Sequence, residues 1–95
     1  MEAAKKSRSG VRSWATTTSN QLLEACKERP PRKHVVQGKK EELLRRLQSL
    51  DEAQEKVEQL VVVEQLEEEV KEAAAYRAKV SEALYFAEEV LEFRF

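Results

Sequence analysis

The C-terminal part of the chain, residues 39–95, contains neither glycine nor proline over 57 consecutive positions. Its residues are mostly good helix formers, and nothing in the segment supplies a tight turn. Apolar residues recur every three or four positions, which predicts helices with one apolar stripe opposite a Glu-rich face. Because a lone amphipathic helix is marginal in water, this stripe must be buried against another part of the chain or another chain.

The spacing predicts an all-α fold with helices over about residues 10–29, 39–62 and 66–92. The last two form an antiparallel hairpin, and the first packs across it. A chain of 95 residues makes one small domain at most, so we expect a single helical domain over 9–95 after a flexible basic segment, 1–8. The predicted core consists of Trp14, Leu22, Leu43, Leu47, Leu50, Val57, Leu66, Val70, Val80, Leu84 and Leu91.

The connection between the last two helices is predicted at residues 62–65. Val61, Val62 and Val63 are β-branched and disfavour a helix, and the apolar stripe loses phase at Glu64. However, Ser, Thr, Asp and Asn are all missing from residues 57–80, so no side-chain N-cap marks a new start. The alternative is therefore one long continuous helix that forms an intermolecular coiled coil.

The first predicted helix ends at Pro30 and Pro31, and a basic loop follows over residues 30–38. A capping-box pattern also allows this helix to start as late as Ser19. Trp14 lies on its apolar face and is predicted to anchor the core. The alternative for Trp14 is an exposed aromatic residue that binds a partner.

Charge is distributed unevenly along the chain. Residues 1–46 carry 12 Lys/Arg and 5 Asp/Glu, a net charge of +7, whereas residues 47–95 carry 5 and 13, a net charge of −8. Such asymmetry indicates either a basic surface for an anionic partner or a basic segment that lies against an acidic one.

The lone cysteine, Cys26, excludes an intrachain disulfide and favours a reducing compartment, the cytoplasm or nucleus. The Lys/Arg- and Ser-rich start leaves a mitochondrial transit peptide as an alternative. One Cys and one His, His34, cannot close a tetrahedral metal site, and no phosphate loop or nucleophile–base set is present. We therefore expect no enzyme, no cofactor, no small-molecule substrate and no membrane span.

A local pattern covers the end of the first predicted helix, the loop and the start of the second. It consists of Leu22, Cys26, Lys27 and Arg29, then Gly38, Lys40, Leu43, Arg46 and Leu47. This pattern resembles the SAP motif, a helix–loop–helix DNA-binding unit. The resemblance implies phosphate contacts by basic side chains of this region, with salt-sensitive and weakly specific binding. The candidate residues are Arg32, Lys33, Lys39, Lys40, Arg45 and Arg46.

A broader pattern covers nearly the whole chain. A basic start precedes Val11, Thr18, Asn20 and Leu22; Lys40-Glu41-Glu42-Leu43 leads to Leu50-Asp51-Glu52; then come Leu66-Glu67-Glu68-Glu69 and Tyr76-x2-Lys79-Val80-x-Glu82-Ala83-Leu84. This order resembles the gag-like N-terminal helical region of BEL/Pao-type retrotransposon polyproteins. The resemblance implies a helical segment whose role is assembly.

The leading prediction is therefore a non-catalytic helical module for protein–protein interaction or self-assembly, and the alternative is a nucleic-acid-binding module. The partner would be a second copy or another helical protein, or nucleic acid in the alternative. Adjacent aromatic residues such as Tyr85 and Phe86 cannot share one helix face, so we expect one of them at the surface. The candidate contact residues are Trp14, Tyr85, Phe86, Phe93 and Phe95.

Overall fold

The described chain forms three α-helices that pack as a bundle: α1 (Glu2–Lys27), α2 (Lys33–Leu60) and α3 (Val63–Phe93). A computed structural model describes the backbone of residues 2–93 and the side chains of residues 2–92. Each helix contacts the other two, and no strand occurs among these residues. The predicted all-α three-helix bundle is therefore confirmed.

Two ion pairs show that α2 and α3 are antiparallel. Asp51 of α2 pairs with Arg77 of α3, while Lys40, nearer the start of α2, pairs with Glu88, nearer the end of α3. The partners thus run in opposite order along the two helices. This is the predicted hairpin, and α2 and α3 are not one continuous helix.

Only Val61 and Val62 separate α2 from α3. Val61 is extended (φ −79°, ψ 141°), and its N–H still donates to the Val57 carbonyl oxygen at 3.1 Å. The Gln65 N–H donates to the Val62 carbonyl oxygen at 2.9 Å at the start of α3. The extended preference of β-branched residues thus breaks the helix without glycine, proline or a side-chain cap, and α3 begins at residue 63 rather than 66.

α1 begins at Glu2 rather than near residue 10, so the prediction of a flexible basic segment is wrong for residues 2–8, which are helical. Arg8 explains the difference. Its guanidinium donates to Gln54 Oε1 at 3.0 Å and pairs with the Glu69 carboxylate, which ties this part of α1 to both other helices. α1 ends at Lys27, two residues before the predicted end, ahead of the prolines.

α2 begins at Lys33 rather than Lys39, and the predicted loop is correspondingly shorter. Val36 lies fully buried in the core, and burial of such a side chain contributes about 1.5–3 kcal/mol. This exceeds the cost of about 1 kcal/mol for glycine inside a helix. Gly38 therefore sits within α2 instead of ending the loop.

The main apolar core draws on all three helices. Its residues are Ala15, Leu22, Ala25, Cys26, Val36, Leu43, Leu47, Leu50, Val80, Ala83, Leu84, Ala87 and Val90. Val57 is also fully buried. The predicted core residues that the structure confirms are Leu22, Leu43, Leu47, Leu50, Val57, Val80 and Leu84.

The core prediction is wrong for Trp14 and Val70, which are 59% and 45% exposed. α1 turns the smaller Ala15 and Thr18 inward instead, and small side chains at a contact let helices approach closely. Val70 lies where α3 packs mainly through polar side chains. The remaining two predicted core residues, Leu66 and Leu91, are half-buried.

α3 packs differently along its two halves. Its buried residues all lie at or after Val80, and none of the described residues 63–79 is buried. Val63 and Val70, which continue the same apolar stripe toward the turn, are 83% and 45% exposed. The first half of α3 is therefore held to the bundle by contacts other than a closed apolar core.

Those contacts are polar and join α3 to α1. Arg12 donates to both carboxylate oxygens of Glu72, at 2.6 and 2.9 Å, and its guanidinium lies 4.9 Å from the centre of the Tyr76 ring. The Tyr76 hydroxyl donates to the Arg12 carbonyl oxygen at 2.7 Å and pairs with the Thr16 hydroxyl at 2.7 Å. The basic first half of the sequence thus lies against the acidic second half within one molecule.

We expect acid to loosen the first half of α3 before the second. The hydrogen bond from Arg12 lowers the pKa of Glu72, so this pair contributes full stability above the unfolded pKa of glutamate, about 4.3. Its contribution is lost as pH falls through the lower folded pKa. Below about pH 4, hydrogen-exchange protection over residues 64–76 should fall by up to about fivefold, the equivalent of ~1 kcal/mol for a strong exposed pair.

The Glu72→Gln variant at neutral pH is the matched control for the acid experiment, because it removes the negative charge of residue 72 without lowering the pH. It should lower protection over 64–76 and leave residues 80–92 unchanged. Equal loss of hydrogen-exchange protection over both halves of α3 would contradict the conclusion that polar contacts hold only its first half.

Candidate interaction surface

Most of the basic side chains predicted to contact phosphate are engaged by carboxylates within the bundle. Arg32 donates to both carboxylate oxygens of Glu28, at 3.1 and 3.2 Å, and this hydrogen bonding raises the pKa of Arg32. On α2, the Glu42 carboxylate forms ion pairs with Lys39 Nζ at 3.3 Å and with Arg46 Nη2 at 3.9 Å. Arg32, Lys39 and Arg46 therefore each contact a carboxylate, although Lys39 and Arg46 share Glu42.

The remaining three candidates lie at separate positions along α2. Lys40 reaches across to Glu88 of α3 at 3.6 Å. Lys33 and Arg45 are both exposed, at the first residue of α2 and beyond its third turn. Four of the six candidate cations thus already contact a carboxylate of the bundle.

Trp14 lies on the surface of α1, where the Arg46 guanidinium is 4.9 Å from its ring centre. This cation–π contact connects α1 with α2 and occupies one face of the indole. Trp14 is therefore exposed, as the alternative interpretation required, but one of its faces already has a partner.

A groove lined by both apolar and polar side chains runs between α2 and α3. Leu44 and Tyr85 form its rims and are 48% and 68% exposed, while the buried side chains of Leu47 and Leu84 also line it. The groove encloses about 310 Å³. Leu44 of α2 and Tyr85 of α3 thus lie exposed on opposite sides of a groove whose lining is both apolar and polar.

Charged pairs flank this groove. Arg77 donates to the two carboxylate oxygens of Asp51 at 3.0 and 3.1 Å, and this hydrogen bonding raises the pKa of Arg77. At the other end lies Glu88, paired with Lys40. Asp51 and Arg77 also line a second cavity, of about 190 Å³, on the side toward the α2–α3 turn.

Phe86 lies on another side of the bundle, between α1 and α3, and is 41% exposed. It lines a cavity of about 400 Å³ together with Leu23 and Tyr76, which are half-buried. Tyr85 and Phe86 thus point into different grooves, as their adjacency requires. The Phe93 side chain and Phe95, which are further candidate contact residues, lie outside the described residues.

Neither an exposed cysteine nor a metal-binding cluster occurs among the described residues. Cys26 is buried, and burial raises the pKa of its thiol, which keeps the sulfur protonated and a poor nucleophile. Within the described residues, no three His, Cys, Asp or Glu side chains are placed to hold a metal ion. None of the described helices has both the length and the hydropathy needed to span a bilayer.

Leu44 is the surface residue that the sequence analysis missed, because only Leu43 fits the buried stripe. The signal was present in two adjacent apolar pairs, Leu43–Leu44 and Leu84–Tyr85. In each pair one side chain is buried and its neighbour is exposed. Once the hairpin brings the two pairs to the same level, their outer members face the same groove.

Comparison of the chain with protein-family models, with curated proteins and with solved structures finds no match.

Proposed function

We propose that this chain is a non-catalytic helical interaction module that self-assembles through the α2–α3 groove. The exposure of Leu44 and Tyr85 on either side of apolar groove residues is the observation that carries the proposal. A helix laid along this groove would bury both side chains and convert the three-helix bundle into a four-helix arrangement.

The physical driving force is the burial of apolar area at about 25 cal/mol per Å². Tyrosine is among the residues that most often dominate binding energy at interfaces, because it buries a large ring at little conformational cost. The groove side chains alone do not supply the roughly 1,200 Å² that a stable interface buries, so contact must extend along several helical turns.

We further propose that the assembly is of the gag type. The support for this is the order of charged and apolar helical segments, which resembles the gag-like region of BEL/Pao-type retrotransposon polyproteins. An all-helical bundle with exposed apolar side chains at the rims of an external groove is compatible with such a role. The internal pairing of Arg32, Lys39, Lys40 and Arg46 makes the SAP-like nucleic-acid function the weaker proposal.

Light scattering across a range of protein concentrations tests the proposal. The mass should rise from the monomer value of 11.0 kDa toward a dimer or larger species as concentration increases. This rise should persist in high salt, because apolar burial is not screened.

Addition of duplex DNA at low salt distinguishes self-assembly from nucleic-acid binding. A protein that stays monomeric at every concentration but binds DNA with a steep salt dependence would favour the nucleic-acid function. A strict monomer without DNA affinity would contradict both functions.

A further inference from the structure

Two rows of accessible side chains follow the rims of the α2–α3 groove. The row on α2 consists of Leu44, Asp51 and Glu58, and the row on α3 consists of Lys71, Ala78 and Tyr85, with Arg77 beside Ala78. Residues seven positions apart lie on nearly the same side of a helix, so each row follows one edge of the hairpin. All of these side chains are exposed except that of Glu58, which is half-buried, so a partner can reach them.

The two rows lie level with each other across the groove. In the ion pairs Asp51–Arg77 and Lys40–Glu88 the two residue numbers add up to 128, which shows which positions of the antiparallel helices have the same height. To within one residue, the levels are Leu44 with Tyr85, Asp51 with Arg77, and Glu58 with Lys71. Each level therefore combines two apolar side chains or an acidic side chain with a basic one.

We propose that the partner bound at this groove is the same hairpin of a second copy, related by a two-fold axis parallel to the helices. Such an axis keeps every residue at its height and lays α2 of one copy along α3 of the other. The contacts between copies, each formed twice, are Leu44 with Tyr85, Asp51 with Arg77, and Glu58 with Lys71. The four helices form a bundle in which all neighbours are antiparallel.

The other two-fold arrangement lays α2 against α2 and α3 against α3 in reversed direction. It would place Leu44 against Glu58 and Tyr85 against Lys71, so that each apolar side chain meets a charge. It would also bring the two Asp51 carboxylates together at the axis, and like charges at an interface are costly. The order of apolar and charged residues along the rows therefore favours the parallel axis.

The inference rests on the proposed function, because it names the partner at the groove through which the chain self-assembles. From Leu44 to the α2–α3 turn the hairpin face is about 27 Å long at 1.5 Å per residue, and two helices are about 20 Å wide. Two such faces bury on the order of 1,100 Å², close to the lower limit for stable interfaces. The dimer should therefore be reversible and depend on concentration.

Charge reversal tests the pairing of Glu58 with Lys71 between copies. Glu58→Lys and Lys71→Glu each turn both of these pairs from attractive to repulsive, so either variant alone should dimerise about tenfold more weakly at low salt. In an equimolar mixture, one copy of each variant regains both attractive pairs, and the dissociation constant measured by light scattering should return to the wild-type value. Within a single copy, mixing has no effect.

Glu68→Lys is the matched control for the mixture. Glu68 is exposed on α3 but lies outside the row of Lys71, Ala78 and Tyr85. A mixture of Glu68→Lys with Lys71→Glu has the same charges as the first mixture, yet it should not regain the wild-type dissociation constant. Circular dichroism of each variant establishes that it is folded.

Distances between spin labels give the geometry of the dimer. Gly38→Cys and Ser49→Cys, each in a Cys26→Ala background, place a label at an exposed position of α2, and a side chain at residue 38 meets no atom within 4 Å. With the parallel axis, both labels should show nearly the same distance between copies. In the reversed arrangement, the distance at residue 38 would be longer by about 20 Å, because this residue lies far from the axis.

The outcomes separate the inference from the proposed function. A protein that stays monomeric at every concentration would overturn both. A dimer with the longer distance at residue 38, or one that does not recover when the charge variants are mixed, would overturn the inference and leave self-assembly intact. An assembly larger than a dimer would do the same, because a two-fold contact closes at two copies.

Discussion

Replacement of Leu43 by alanine is expected to lower the free energy of unfolding by about 3 kcal/mol, within the usual range for a buried leucine. Leu43 is fully buried and belongs to the core shared by all three helices. A domain of this size has a total stability of roughly 5–14 kcal/mol, so the loss is a large fraction of the total. Thermal unfolding should show the midpoint lowered by about 12 °C or more.

Leu44→Ala is the matched control, since it makes the same chemical change one residue along the same helix. Leu44 is 48% exposed, so its truncation should cost the monomer less than about 1 kcal/mol. Measurements at low protein concentration keep self-association out of the comparison. Similar losses for the two variants would mean that α2 presents a different face to the core.

The fold was largely predictable because helix periodicity is a local property. Leu43, Leu47 and Leu50 step by four and three residues, and the structure buries all three. The break before α3 was also predictable from the run of valines. In both cases the information lies within a few residues of sequence, where backbone preference and side-chain pattern agree.

Helix starts were predicted less well because distant contacts decide them. Residues 2–8 have the composition of a frayed end, yet Arg8 contacts Gln54 and Glu69, which lie far away in sequence. Gly38 suggests the end of a loop, yet α2 begins before Gly38, at Lys33, because Val36 is buried in the core. Neither outcome follows from local propensity.

The candidate surface was predicted in part for a similar reason. Tyr85 and Phe86 were both predicted as candidate contact residues, and their adjacency predicted that at least one of them is exposed. Leu44 gained significance only when the hairpin placed it across a groove from Tyr85. The pairing of Lys40 with Glu88 likewise depends on which helices adjoin, and this pairing weakens the nucleic-acid alternative.

Combined replacement of Leu44 and Tyr85 by glutamate is expected to keep the protein monomeric. Both side chains are exposed in the monomer, so the substitutions should preserve its helical fold and lower its melting temperature by only a few degrees. In an assembly through the α2–α3 groove, each would bury a charge against Leu47 and Leu84. A cost of at least about 1.4 kcal/mol per site would raise the dissociation constant about 100-fold or more.

Phe86→Glu separates this groove from its neighbour. Phe86 follows Tyr85 directly but lines the cavity between α1 and α3, so its substitution should leave assembly intact provided the variant remains folded. Circular dichroism establishes folding, and light scattering at matched concentrations reports mass. If Phe86→Glu dissociates the assembly while the Leu44/Tyr85 variant does not, the interface lies between α1 and α3. The module would then assemble through a surface formed by its first and third helices, and the α2–α3 groove would remain open to solvent.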